Sequence, residues 1–138
     1  MQIITGEATE ALRLLPSGCC STCVTSPPYY GLRNYGEAGQ IGIEETPEEY
    51  TRRLVEVFRE VRRVLKDDGT LWLNIGDSYA ASGKGRNRDG RFNKKAENIQ
   101  SSGQRKSRIR RTCEGNGLKR KDLIGIPWLL AFALRADG

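Results

Sequence analysis

The feature that most constrains this chain is a capped amphipathic stretch, Pro47 to Lys66, set between two short β-prone runs. Thr46 supplies an N-cap hydroxyl, Pro47 takes the first helical position, and Glu49 stands three residues after the cap, the spacing of a capping box. Tyr50, Leu54, Val57, Phe58, Val61, Val64 and Leu65 form one apolar stripe, with Arg52, Arg53, Arg59, Glu60, Arg62 and Arg63 mostly off it. Lys66 suits the C-terminal dipole, and Gly69 is expected to stop the chain near the C-cap. Upstream, Cys20 to Thr25 is compact and apolar enough for a buried strand, which Pro27-Pro28 must end because proline donates no ladder hydrogen bond. Downstream, Thr70 to Ile75 reads as a second strand, followed by Gly76-Asp77.

The flanking segments extend this alternation. Gln2 to Thr5 is β-prone and ends at Gly6, and Ala8, Ala11, Leu12 and Leu15 recur at helical spacing. Pro16-Ser17-Gly18 is a turn, and Gly31 to Gly42, with four glycines, reads as a loop. From Lys119 to Ala136 an apolar helical pattern returns, interrupted by Pro127. Strand, helix, strand, helix implies an α/β fold with a parallel sheet. Trp72 and Trp128, in apolar surroundings, are expected in the core or at an interface.

Composition excludes several classes. With 138 residues, 37% hydrophobic and 29% charged, the chain is one domain or part of one, with enough apolar content for a core. Its longest apolar stretch, Ile126 to Leu134, is shorter than the ~18 residues of a membrane span. The first residues lack the layout of a secretory signal, so the expected compartment is the cytoplasm. There is no histidine, which excludes histidine general bases and histidine metal sites. Cys20 and Cys23 have the spacing of a redox or zinc pair, but residues i and i+3 of a strand point to opposite faces. Cys19, Cys20, Cys23 and Cys113 therefore read as small apolar filler in a reduced compartment.

Charge is concentrated. Lys84 to Lys121 holds fourteen basic and three acidic residues, against nine basic and fourteen acidic elsewhere. Residues 80–118 form a polar, glycine-containing stretch without sustained periodicity, read as a flexible basic insertion. Such a stretch is either a solvated loop or a polyanion-binding element. Lys84, Arg86, Arg88, Arg105, Lys106, Arg108, Arg110 and Arg111 are the candidate phosphate contacts, with a nucleic acid the expected partner.

The residues that carry chemistry are Thr25-Ser26-Pro27-Pro28-Tyr29-Tyr30, just past the carboxyl end of a strand, where ligands bind in open α/β sheets. Two prolines stiffen the backbone and remove two amide donors. The Ser26 and Pro27 carbonyls can then act as acceptors, Ser26 adds a hydroxyl, and Tyr29 offers a flat face to a planar ring. Acceptors beside an aromatic face suit the exocyclic amino group of a nucleobase. The bland alternative is a rigid turn with structural tyrosines.

This chain resembles the amino-methylating DNA methyltransferases that use S-adenosylmethionine, whose catalytic motif is (Asp/Asn/Ser)-Pro-Pro-(Tyr/Phe). Ile3 to Ala8 looks like the family's opening strand and turn, Thr25 to Tyr35 like its catalytic loop, Gly69 to Tyr79 like the next core strand and loop, and Lys121 to Arg135 like a later helix. The resemblance implies a partial Rossmann-like methyltransferase sheet with flanking helices and a long basic loop. It implies Ser26, Pro27, Pro28 and Tyr29 as the catalytic motif, and Glu7, Ala8 and Ser26 as cofactor contacts, Glu7 standing where the family usually has Asp. It also implies methyl transfer to N4 of cytosine or N6 of adenine in a flipped base, and Ser in first place leans towards cytosine. No cysteine nucleophile is required. A protein-glutamine or RNA guanine methyltransferase would usually begin this motif with Asn, and a non-catalytic nucleic-acid-binding module or inactive fragment is the alternative of another class.

The family's glycine-rich cofactor loop is not evident. Gly83-Lys84-Gly85 and Gly115-Asn116-Gly117 are the only Gly-x-Gly triplets, and neither follows an apolar strand. Only 25 residues precede Ser26, fewer than the ~30 of a β-α-β unit. The arrangement fits the family's permuted members, with the catalytic motif first. Residues 1–138 are thus expected to be the N-terminal catalytic part of a truncated domain, with the cofactor loop on a missing C-terminal half or partner chain.

Overall fold

A computed structural model describes residues 3–80, 117–119 and 121–138. Along the chain run α1 (Ala8–Arg13), β1 (Cys20–Thr25), α2 (Pro47–Val64), β2 (Leu65–Leu73) and α3 (Ile126–Asp137). The two strands pair in parallel, with Thr22 opposite Thr70, Val24 opposite Trp72 and Thr25 opposite Leu73. This is the expected α/β alternation, with α2 as the crossover. No helix among the described residues is long and apolar enough to cross a membrane.

Helix α2 organises the molecule. The Thr46 hydroxyl accepts from the Glu49 amide at 3.1 Å, and Pro47 opens the helix. Its stripe buries Tyr50, Leu54, Val55, Phe58, Val61 and Val64, and all but Val64 cluster with Tyr30 and with Ile126 and Leu130 of α3. The arginines off the stripe tie the neighbouring elements down. Arg63 donates to the carbonyls of Leu12 (2.9 Å) and Leu15 (3.0 Å), satisfying acceptors at the end of α1. Arg59 grips the Asp137 carboxylate of α3 with both forks of its guanidinium.

Several expectations are corrected. Residues 3–5 form no strand, and Ile3 and Ile4 are exposed; neither strand of the two-stranded sheet takes them as a partner. The Cys20–Thr25 strand is only half-buried, because one face of the sheet is open: Val24 is 78% and Trp72 65% exposed. Trp72 and Trp128 are therefore outside this core. Gly69 does not cap α2, since the helix passes straight into β2 at Leu65. Two steps along β1, from Cys20 to Thr22, match five along β2, from Leu65 to Thr70. The chain doubles back in that bulge, where a Cβ on Gly69 would lie 2.8 Å from the Lys66 carbonyl oxygen. Pro127 does not interrupt α3 but sits in its first turn, where its missing amide costs nothing. Cys20 and Cys23 are both half-buried, and burial pushes the Cys23 thiol up. Cys113 lies outside the described residues.

Helix α3 has no cap of its own, its N-cap being Gly125 with a φ of 84°. Asp77, from the loop after β2, takes that role across the fold. Its carboxylate accepts from the amides of Gly125 (3.0 Å), Ile126 (3.0 Å) and its neighbour Ser78 (2.7 Å). Beside it Tyr79 pairs antiparallel with Leu123, and Ala80 exchanges hydrogen bonds with residues 121 and 122. Asp77→Ala should cost about 1–2 kcal/mol in urea denaturation, the range of a lost helix cap, and should speed hydrogen exchange at the Gly125 and Ile126 amides before that of α2.

Candidate active site

The Ser26–Tyr29 corner leaves the sheet where pairing ends. The Asn74 amide still donates to the Thr25 carbonyl at 3.0 Å, after which the two chains separate around the corner. Pro27 and Pro28 bring no amide donors, so the corner is held from outside. The Tyr50 hydroxyl of α2 donates to the Pro28 carbonyl at 2.7 Å. Burial, the nearby Glu44 carboxylate and the Tyr29 phenol all push the Tyr50 hydroxyl well above the usual phenol range, which keeps it a donor. Gly42 fits against the corner closely enough that a Cβ there would lie 3.1 Å from the Tyr29 carbonyl oxygen. Its own carbonyl accepts from the Gly31 amide at 2.7 Å.

The two tyrosines of the motif have different fates. Tyr30 is buried; its hydroxyl donates to the Glu45 carbonyl at 3.1 Å, its carbonyl accepts from Ser78 Oγ at 2.8 Å, and its ring lies 5.3 Å from that of Tyr50. Tyr29 is half-buried, with one side of its ring against Gly76, where a Cβ would come within 2.9 Å of a ring carbon. Ser26 and Pro28 are exposed. The structure thus brings a hydroxyl, a rigid pair of prolines and a backed aromatic ring together at an open surface.

The remaining candidates are placed as follows. Glu7 and Ala8 are exposed at the start of α1, where the Glu7 carboxylate caps the helix by accepting from the Glu10 amide at 2.9 Å and from the Thr9 hydroxyl at 3.2 Å. Desolvation pushes the Glu7 carboxyl up, but those hydrogen bonds and the Arg13 charge outweigh it and hold the group below the ordinary glutamate value. Lys84, Arg86, Arg88, Arg105, Lys106, Arg108, Arg110 and Arg111 lie outside the described residues. Tyr50, Gly42 and Gly76 escaped the sequence reading as site residues. Tyr50 was visible only as one member of an apolar stripe, and the glycines only as loop formers. A cleft of about 450 Å³ lies at the amino end of β2, lined by Phe58, Arg62, Leu65 and Leu134, away from the corner.

Comparison with known proteins bears on this geometry. A family model described as DNA methylase matches residues 20–124, which include the corner, α2 and β2. The chain belongs to the N6/N4 DNA methylase family. Over 138 residues the chain is 51% identical to the Type II methyltransferase M.SmaI of Serratia marcescens, an alignment covering 99% of the chain and 44% of the relative. It is 50% identical over 134 residues to M.XycI of Xanthomonas campestris pv. cyanopsidis (96% of the chain, 41% of the relative). It is 47% identical over 133 residues to M.Cfr9I of Citrobacter freundii, with the same coverage. The chain spans less than half the length of these relatives. No solved structure matches it.

Gly76 lies against the Tyr29 ring, so Gly76→Ala should cost about 1–3 kcal/mol, as overpacking does. Gly6→Ala, with nothing near the added methyl, should stay within about 0.5 kcal/mol. Urea denaturation of the two variants checks the contrast.

Proposed function

We propose that this chain forms the base-binding part of an enzyme that transfers a methyl group from S-adenosylmethionine to an exocyclic amino nitrogen in double-stranded DNA. N4 of cytosine is favoured over N6 of adenine, because Ser26 opens the motif. The observation that carries this reading is the open corner itself, where Ser26 and the prolines meet the Gly76-backed ring of Tyr29 in a chain of the DNA methylase family.

An amino group inside a duplex is out of reach, so the target base leaves the stack and lies on the Tyr29 ring. Ser26 Oγ and the Pro27 carbonyl accept hydrogen bonds from its amino group, and the nitrogen lone pair is withdrawn from the ring and aimed outward. The Pro28 carbonyl is already committed to Tyr50, which holds the two prolines still. The chain's contribution is orientation and fixed dipoles, with no covalent enzyme–base bond. The proton released from the methylated nitrogen leaves through the exposed side of the corner. S-adenosylmethionine, when bound, supplies an electrophilic sulfonium methyl. Among the described residues, the polar groups implied for it are Glu7, engaged in capping α1 and followed by Ala8, and Ser26. These do not make a complete cofactor site. The Gly-x-Gly triplets lie wholly or partly outside the described residues. We assign the remaining cofactor contacts to a second half, as the greater length of the relatives supports. The parallel pair β1–β2 would then be part of a larger Rossmann-like sheet, with residues 80–118 an insertion.

The described residues on either side of this stretch meet beside the corner. Residues 78–80 pair with 121–124, and Ser78 Oγ holds the Tyr30 carbonyl. A basic segment starting there is well placed to neutralise phosphates around a target base.

The test is a chimera in which this chain replaces the matching residues of the Serratia marcescens relative. Tyr29→Ala and Ser26→Ala should each lower methyl transfer by about 100-fold or more with DNA binding retained in a filter assay. Methylation that survives both changes would sink the assignment and leave a nucleic-acid-binding module. Deleting Arg105 to Arg111 should make the salt dependence of DNA binding shallower by about one log unit per log unit for each phosphate that is no longer neutralised. An unchanged slope would mean that these residues are only a solvated loop.

A further inference from the structure

The loop that follows the corner is built more firmly than its glycines suggest. The Leu32 amide donates to the Tyr29 carbonyl at 3.2 Å, closing a turn directly on the corner. Gln40 works as an internal strut: its Oε1 accepts from the Tyr35 amide at 2.7 Å and its Nε2 donates to the Arg33 carbonyl at 2.8 Å. Asn34 Oδ1 accepts from the Gly36 amide at 2.8 Å. Arg53 of α2 reaches across to the carbonyls of Gly39 and Gln40, the latter at 2.9 Å. Arg53 is itself fixed by Glu44, at 2.6 Å, whose side chain is 2% exposed and also accepts from the Gly42 amide.

A loop held in this way could bury its apolar side chains or dispense with them. This one turns two of them out, Leu32 at 54% and Tyr35 at 58% exposed, with exposed Arg33 between them. Single exposed apolar residues need no explanation, but these two flank a cation on a backbone fixed against the base-binding corner. The other exposed aromatics on regular elements, Trp72 on the open sheet face and Trp128 and Phe132 on α3, have no such tie to it.

Extruding a base costs stacking energy, and the gap it leaves is unfavourable unless something apolar fills it. Proteins that open base steps do so by inserting apolar side chains between them. The Cα atoms of Tyr29 and Leu32, as ends of one turn, lie within about 7 Å of each other. The element that fills the gap and the ring that receives the base therefore belong to one segment, and a preordered loop loses little conformational freedom on entering DNA.

We propose that Leu32 and Tyr35 form a wedge that enters the duplex where the target base leaves, Tyr35 stacking on a flanking base pair and Arg33 meeting a phosphate. This rests on the base-extruding reading above and assigns the opening of the duplex to residues outside the catalytic motif.

The chimera with the Serratia marcescens relative tests it on two substrates, a fully paired duplex and the same duplex with the target base mismatched. Leu32→Ala and Tyr35→Ala should lower kcat/KM on the paired duplex by about tenfold or more beyond any loss on the mismatched one. Tyr35→Phe should restore the paired duplex, because stacking needs the ring and not the hydroxyl. Tyr29→Ala should fail on both. Equal losses on the two substrates would overturn the wedge. If Tyr29→Ala is then still inactive, the base-binding assignment stands without it. A binding measurement needs no turnover: in Tyr35→Trp, duplex addition should quench tryptophan emission beyond the quenching in the parent chimera. An unquenched added indole would also overturn the proposal.

Discussion

A diproline corner cannot hold itself in place. It brings no amide to a ladder or a turn, so its carbonyls must be fixed by groups from elsewhere, and here the Tyr50 hydroxyl does so through the Pro28 carbonyl at 2.7 Å. That bond is possible only because α2 lies beneath the corner, where its apolar stripe packs against Tyr30, α3 and the inner face of the sheet. The phenol that ties scaffold to site is one of the most buried residues of the core, and its burial keeps it protonated. Packing and site geometry are in this sense one interaction.

The same helix distributes order outward through its arginines. Arg63 completes the end of α1, Arg59 anchors the end of α3, and Arg53 braces the loop after the corner. Each donates to backbone carbonyls or a carboxylate on a segment distant in sequence. Asp77 does the complementary work at the start of α3, satisfying amides. A small sheet of two strands is thus surrounded by long-range polar ties, and its other face stays open, with Val24 and Trp72 exposed. Relatives more than twice as long as the chain have residues to spare for covering such a face.

What was legible locally came through intact. The Thr46 cap, Pro47 at the helix start and the Tyr50–Val64 stripe depend on neighbours within a few residues, and the structure repeats them almost to the residue. Cys20–Thr25 as a strand ended by Pro27 is equally local. Expectations failed where a distant partner decides. Ile3 to Thr5, at the amino end, pair with neither strand among the described residues. Gly69 is needed by a bulge that exists only because β2 pairs out of step with β1. Pro127 looked like an interruption because the capping carboxylate, Asp77, lies 50 residues upstream.

The sequence by itself determined the order of elements, the boundaries of α2, the position of the Ser26–Tyr29 corner past a strand, and, through the motif, the family. All of these are set by covalent neighbours or by spacing within one helix or turn. Only the tertiary structure decided that Tyr29 is half-buried against Gly76 while Tyr30 is locked inside. It also decided that Tyr50 is the corner's anchor and that Leu32 and Tyr35 stand out from a braced loop. The reason is that a side chain's exposure and hydrogen-bond partner depend on which distant segments pack beside it, and packing is a property of the assembled chain.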